Sequence, residues 1–240
     1  MRLLTIKKSF LFVLFSLLVW TNSFASVTML GNRIIYPSSS QDKTLIFSNN
    51  DKTPALVQIW TDINNPSSSP DNADGPFAAI PSIFNIDANS KQIVKIVYTG
   101  HESLPKDRES IFYFNYLSIP SVMKSEAEQN KLMLVVTNRL KIFYRPNGLS
   151  GSSDNTINDL IIKRNEKLLT IKNPTPYYAS MTTAIITKAN KKSTVEIDMI
   201  APFSERAWPI STEYQSGEIH IQLGLINDYG VEKFRTINIL

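Results

Sequence analysis

Three cations, Arg139, Lys141 and Arg145, close the stretch Lys131–Pro146 (KLMLVVTNRLKIFYRP), directly after an apolar run. The run before them reads as a β-strand. Strand side chains alternate faces, so Leu132, Leu134 and Val136 form one row and Met133 and Val135 the other. Both rows are apolar and both faces are expected to be dry. A strand of this kind at the edge of a small β domain calls for a cover. One row can serve the domain's own core while the other is offered to a partner.

Little else in the chain suggests chemistry. His101 and His220 belong to no metal-ligand spacing and no nucleophile motif, and no GxSxG, HExxH, P-loop or dinucleotide fingerprint occurs. Asp107 and Glu109 adjoin cations, so charge pairing accounts for them better than acid–base catalysis. With no cysteine, thiol nucleophiles, cysteine metal sites and disulfides are excluded. The expectation is a protein that is not an enzyme and carries no metal or cofactor.

The elements that must position these residues are strands. Ser26–Leu30, Arg33–Tyr36, Lys43–Ser48, Ala55–Thr61, Ile80–Ile86, Gln92–Tyr98, Ser110–Leu117, Leu132–Val136 and Arg139–Tyr144 are rich in Val, Ile, Tyr and Phe. Asn, Asp, Ser, Pro and Gly separate them, at the short spacing of a sandwich rather than of βαβ units. Asn147–Asn158 (NGLSGSSDNTIN) reads as a linker and the start of a second unit. Strand-like runs resume at Leu160–Arg164, Leu168–Lys172, Ala179–Thr187, Ser193–Ile200, Gly217–Leu225 and Phe234–Leu240. The fold class is therefore all-β, with two immunoglobulin-like β-sandwich domains in tandem and a cleft between them, over residues 26–147 and 148–240. Asn64–Gly75 (NNPSSSPDNADG) reads as a mobile loop. Thr53-Pro54, Asn173-Pro174 and Thr175-Pro176 are turn-forming pairs, any of which can be cis.

Residues 1–25 have the three parts of a secretory signal: Arg2, Lys7 and Lys8, then the apolar run Phe10–Trp20, then Ser23-Phe24-Ala25. The run is short for a membrane span, so export with cleavage is expected rather than insertion. The chain has 25 Lys and Arg against 21 Asp and Glu. Removing the signal takes away three cations and no acids and leaves a net charge of +1. Overall charge then gives no support for nucleic-acid binding.

Six segments, in order, resemble the motifs of the PapD-like chaperones of the chaperone/usher pilus pathway: Asn32–Pro37 (NRIIYP), Pro76–Ile86 (PFAAIPSIFNI), Leu104–Asn115 (LPKDRESIFYFN), Asn138–Pro146 (NRLKIFYRP), Asn173–Tyr178 (NPTPYY) and Ile226–Gly230 (INDYG). The resemblance covers essentially the whole mature chain. It implies a periplasmic chaperone that lends a strand to pilus or fimbrial subunits whose own immunoglobulin-like fold is incomplete, in a 1:1 complex, and delivers them to an outer-membrane usher. By the same resemblance Leu132, Leu134 and Val136 enter the subunit, leaving Met133 and Val135 for the chaperone's own core. Arg33 and Lys141 grip the subunit's C-terminal carboxylate. Glu109, Arg145 and Asp228 form an ionic triad at the domain junction. The short connection from Asn115 to Leu132 resembles the short-loop branch of the family, while the cysteine pair of many relatives is missing. Self-capping of the free chaperone as a dimer is in keeping with the apolar strand. The alternative is an exported pilus or adhesin subunit, which would show one incomplete domain and an N-terminal donor segment.

Overall fold

The computed structural model describes residues 27–100, 103–121, 135–165 and 167–239. The signal segment 1–25 and the donor positions Leu132 and Leu134 lie outside these, as does Met133.

Among the described residues, sixteen strands make two sandwiches. The first holds β1 (Val27–Met29), β2 (Arg33–Pro37), β3 (Lys43–Asn49), β4 (Ala55–Asp62), β5 (Phe77–Ile80), β6 (Ile83–Ile86), β7 (Lys91–Tyr98), β8 (Ser110–Pro120) and β9 (Val136–Arg145). One sheet has the order β1-β3-β7-β5 and the facing sheet β2-β9-β8-β4-β6. Between them lies a core that includes Phe47, Val57, Val94, Ile96, Phe114 and Ile142. The second sandwich holds β10 (Ile161–Asn165), β11 (Leu168–Asn173), β12 (Met181–Lys188), β13 (Lys191–Glu196), β14 (Ser204–Pro209), β15 (Ile219–Ile226) and β16 (Glu232–Ile239). Its sheets run β10-β11-β14 and β13-β12-β15-β16 around a separate core that includes Leu169, Ile171, Ile186, Ile221 and Leu223.

The period-two pattern explains most of these strands. In β15 (IHIQLGLI), Ile219, Ile221 and Leu223 point inward while His220 and Gln222 point out. Several expectations need correction. Ile80–Ile86 is two strands, β5 and β6, because Pro81 has no amide hydrogen for a ladder; the cis bond is Ile80-Pro81, not one of the three X-Pro pairs singled out above. Strand β14 (SERAWP) was not expected. Its single buried residue is Trp208, and pairing with β11 imposes its extended form. Asn147–Asn158 ends in a turn of helix, α1 (Thr156–Asp159), that buries Ile157.

The loop at Asn64–Gly75 is pinned rather than loose. Asp62 accepts from the backbone N–H of Asn65 at 2.7 Å and from the Ser68 hydroxyl at 3.0 Å, and Asp74 accepts from the N–H of Ile63 at 3.0 Å. A short 3-10 turn over Pro70–Asn72 follows.

Among the described residues every strand pair is antiparallel except β2 with β9, which is parallel. That exception follows from a change of sheet. Strand β1 pairs with β3 in the first sheet, and four residues later Arg33 enters the second sheet beside β9. Gly31 makes the crossing at φ +91°, a conformation that side chains rarely allow.

Candidate functional site

Strand β9 has two edges with different fates. Along one, β8 pairs with it from Val136 to Tyr144 without a register break. Along the other, β2 pairs with it only from Lys141 to Arg145. Among the described residues, no strand is paired to β9 from Val136 to Leu140 on that side. The open edge ends at the first β2–β9 pair, Arg33 beside Lys141.

The two faces of β9 differ as well. Ile142 is fully buried in the first core, and Leu140 and Tyr144 pack against that core. Alternation therefore sets Val136 and Asn138 on the core face, with Lys141, Phe143 and Arg145 on the opposite face. Val136 is nonetheless 64% exposed, because at this end of the strand nothing described covers it. The core row of β9 outruns its own sandwich. Val135, expected to face the chaperone's own core, is 45% exposed and shares parity with Lys141, so that expectation fails. The reason is geometric. The row that fills the domain's core and the row that runs past it are one row, not opposite ones.

The cations on the other face have different surroundings. Arg145 donates from Nε to Glu109 Oε1 at 2.7 Å, and from its two terminal nitrogens to the Asp228 carboxylate at 2.7 and 2.9 Å. Glu109 comes from the first sandwich and Asp228 from the second. The Glu109 carboxylate also accepts from the N–H of Tyr178 at 2.8 Å, and Asp228 from the Ser153 hydroxyl at 2.8 Å. Burial pushes the Glu109 carboxyl up, against the pull of Arg145. Asp228 is also raised by burial, but its bonds with Arg145 outweigh that and hold it below the usual carboxylate range. For Arg145 the two acids outweigh burial and raise its pKa.

Arg33 and Lys141 lack such partners. Among the described residues, neither has a carboxylate within ion-pair distance. Arg33 donates to the Ile226 carbonyl at 2.9 Å and to Asn32 Oδ1 at 3.1 Å, both neutral acceptors. Burial lowers the Arg33 pKa, and burial followed by the charge of Arg33 lowers that of Lys141. Asp198 acts on Lys141 electrostatically, but its own ion pair is with Arg206 at 3.2 Å. Two half-buried cations side by side, each costing free energy as a charge, make a site suited to an anion with several acceptor positions.

Two contacts beside this site escaped the sequence reading. Asp62 is fully buried and binds Arg139, whose guanidinium also lies 3.4 Å over the Tyr113 ring. Asn32 bridges Arg33 and the Gly230 carbonyl, which it meets at 3.4 Å. Neither contact has a local signal: Asp62 and Arg139 are 77 residues apart, and Asn32 and Gly230 are 198 apart. Elsewhere, His220 is exposed against Asn238, and His101 lies outside the described residues. Among the described residues, no group of three or more His, Asp or Glu could hold a metal.

Residues 26–150 match the model of the pili and flagellar-assembly chaperone PapD N-terminal domain, and residues 155–236 that of the pili assembly chaperone PapD C-terminal domain. The probable fimbrial chaperone YadV of Escherichia coli K12 is 34% identical over 221 residues, 88% of each chain. The chaperone protein HifB of Haemophilus influenzae is 34% identical over 233 residues, 95% of each. The crystal structure of YadV chaperone superposes with a TM-score of 0.75 at 31% identity, covering 90% of this chain and all of that one. The SafB chaperone of Salmonella enterica, solved in complex with the SafA pilin, gives 0.71 at 25% identity, covering 92% and 98%. An isolated pilus subunit would not match chaperones along both of its sandwiches, and this chain belongs to the PapD family of pilus-assembly chaperones.

Proposed function

We propose that this chaperone acts in the periplasm after loss of residues 1–25, and that it lends β9 to one fimbrial subunit at a time. Residues 26–147 form the lending domain and 148–240 its companion. The observation that carries this reading is the open edge of β9, which ends at two cations without a carboxylate. A strand added there lies in the lane that β2 occupies further on, and its last residue meets Arg33 and Lys141. The subunit's C-terminal carboxylate at that point fixes the direction of the added strand as parallel to β9. Backbone bonds along the lane accept many sequences, while the carboxylate, present on every subunit, sets the starting point. Val136 extends the chaperone's core row into the subunit's groove, and Leu134 and Leu132, outside the described residues, are the other two donor positions of this proposal. Each contributes about 1.5–3 kcal/mol gross on burial.

Nothing in this scheme requires bond chemistry, in keeping with a family of chaperones rather than enzymes. Release of the subunit to an outer-membrane usher follows by exchange of strands. Without a subunit, the same edge is free to pair with a second copy of the chain.

The test is co-expression with a cognate pilin. Lys141→Ala or Arg33→Ala should keep the wild-type circular dichroism spectrum and lose co-purification of the pilin. Extending the pilin by one residue that ends in an amide should have the same effect. Normal co-purification in all three cases would overturn the reading.

A further inference from the structure

One cation on the outer face of β9, Arg139, takes no part in the site described above. We infer that Asp62 fixes the register of the bound subunit by withholding Arg139 from the subunit's carboxylate; this rests on the reading that Lys141 and Arg33 hold that carboxylate.

A strand added to an open edge can settle in more than one register. A slip of one residue turns every side chain to the wrong face and is costly. A slip of two residues, about 6.6 Å, restores both the faces and the hydrogen-bond pattern, so it is the error that a strand-lending protein must guard against. Toward the end of β9 a slip is blocked, because β2 holds that edge from Lys141 onward. Toward its start nothing described blocks it, and a two-residue slip brings the carboxylate level with Arg139. Arg139 has the same parity as Lys141 and the charge needed to stabilise the wrong register.

The fold removes that option. Tyr113 sits opposite Lys141 across β8 and β9, and Asp62 sits opposite Tyr113 across β4 and β8. Arg139 lies over the Tyr113 ring and bonds to Asp62, so its side chain is drawn across the sheet and away from the open edge. Asp62 is held from three other directions, by Asn115 Nδ2 at 2.6 Å, the Ser68 hydroxyl at 3.0 Å and the N–H of Asn65 at 2.7 Å. It cannot follow Arg139 outward. Arg139 can turn to a ligand only by leaving a fully buried carboxylate without its counter-charge. Burial alone would raise the Asp62 carboxyl, and these bonds hold it below the usual range, so it keeps its charge. At the other end of the strand Arg145 is bound to Glu109 and Asp228. Of the three cations on this face of β9, only Lys141 is left for an anion.

Register can be read directly by placing a photo-cross-linking residue at Thr137, on the open edge, and mapping the linked pilin residue by mass spectrometry. The wild-type chaperone should link to one pilin position. Lys141→Gln should lower pilin capture about tenfold or more, the loss of one charge-assisted bond, with no displaced link. The double variant Asp62→Asn with Lys141→Gln should recover capture and link two residues away. A displaced link in Lys141→Gln alone would show that Arg139 is available and overturn the inference. So would a folded double variant without the displaced link. If the double variant does not fold, the single variant still decides through its displaced link. Undiminished capture at the original position in Lys141→Gln would instead overturn the carboxylate reading on which the inference rests.

Discussion

Arg145 is the residue on which stability and geometry meet. It lies between a nearly buried Glu109 and a half-buried Asp228, one from each sandwich. Removing it strands both acids, so Arg145→Ala should cost about 3–5 kcal/mol. Arg33→Ala loses hydrogen bonds to neutral acceptors and a longer-range attraction to Asp228, and should cost about 1 kcal/mol. Urea midpoints of the two variants check the difference, and equal midpoints would count against a structural role for the triad. Sheltered carboxylates, those of the triad and Asp62, shape the response to acid. Asp62 and Asp228 have lowered pKa values when folded, so their stabilisation is present above their unfolded values, near 4, and is lost as pH falls through the folded ones. Glu109 is raised, so its contribution has the opposite sign: present at low pH and lost as pH rises through the folded value. With the exposed Asp107 and Glu213 also lowered by their cation partners, four carboxylates stand against one, so wild-type stability should fall as pH drops from 5 to 3, and Asp228→Asn should fall less. An equal fall in both would remove Asp228 from the account.

On the proposed reading, strand β9 carries two tasks on one row of side chains. Ile142 fills the chaperone's own core, and six residues earlier Val136 on the same face stands 64% exposed. Ile142→Ala should therefore cost about 2–5 kcal/mol of stability. Val136→Glu should change stability by about 0.5 kcal/mol or less and weaken pilin capture, because the charge would enter an apolar groove. Thermal midpoints together with pilin co-purification separate the two, and a large stability loss in Val136→Glu would mean that its row is covered in the free protein. Leu132–Leu134 lie outside the described residues, while the strand character of Arg139–Tyr144 was legible from residue types alone. Which row faces which way was not, since period-two alternation shows that faces differ without naming the core. Ile142 names it, and only once its burial is known. β14 was hidden for a related reason: Trp208 is its one core anchor, and its extended form comes from β11. Asp62 and Asn32 were invisible because their partners are remote in sequence, whereas Arg33, Lys141, Glu109, Arg145 and Asp228 were reached through motif resemblance and not through their own patterning.

The two sandwiches keep separate cores and meet largely through polar contacts. Arg145 reaches Asp228, Arg33 the Ile226 carbonyl, and Asn32 the Gly230 carbonyl. The N–H of Glu109 bonds to the Pro176 carbonyl at 2.9 Å, and Phe143 leans on Tyr178. Among the described residues the apolar part of this junction is small, with buried Phe143 against Tyr178, so the bidentate Arg145–Asp228 pair is the contact best able to define the angle. Being partly sheltered, the pair should be little screened, and small-angle scattering of the wild type should give the same radius of gyration at about 50 and 500 mM salt. Asp228→Asn keeps the shape of the side chain and removes the charge that Arg145 grips. Its scattering should show a wider spread of domain angles. Capture of pilin should fall with it, although β9, Arg33 and Lys141 are untouched, because the lane beside β9 and the second sandwich then no longer present one fixed cleft. If Asp228→Asn scatters and captures like the wild type, the cleft is shaped by the remaining backbone contacts, and the triad serves stability alone.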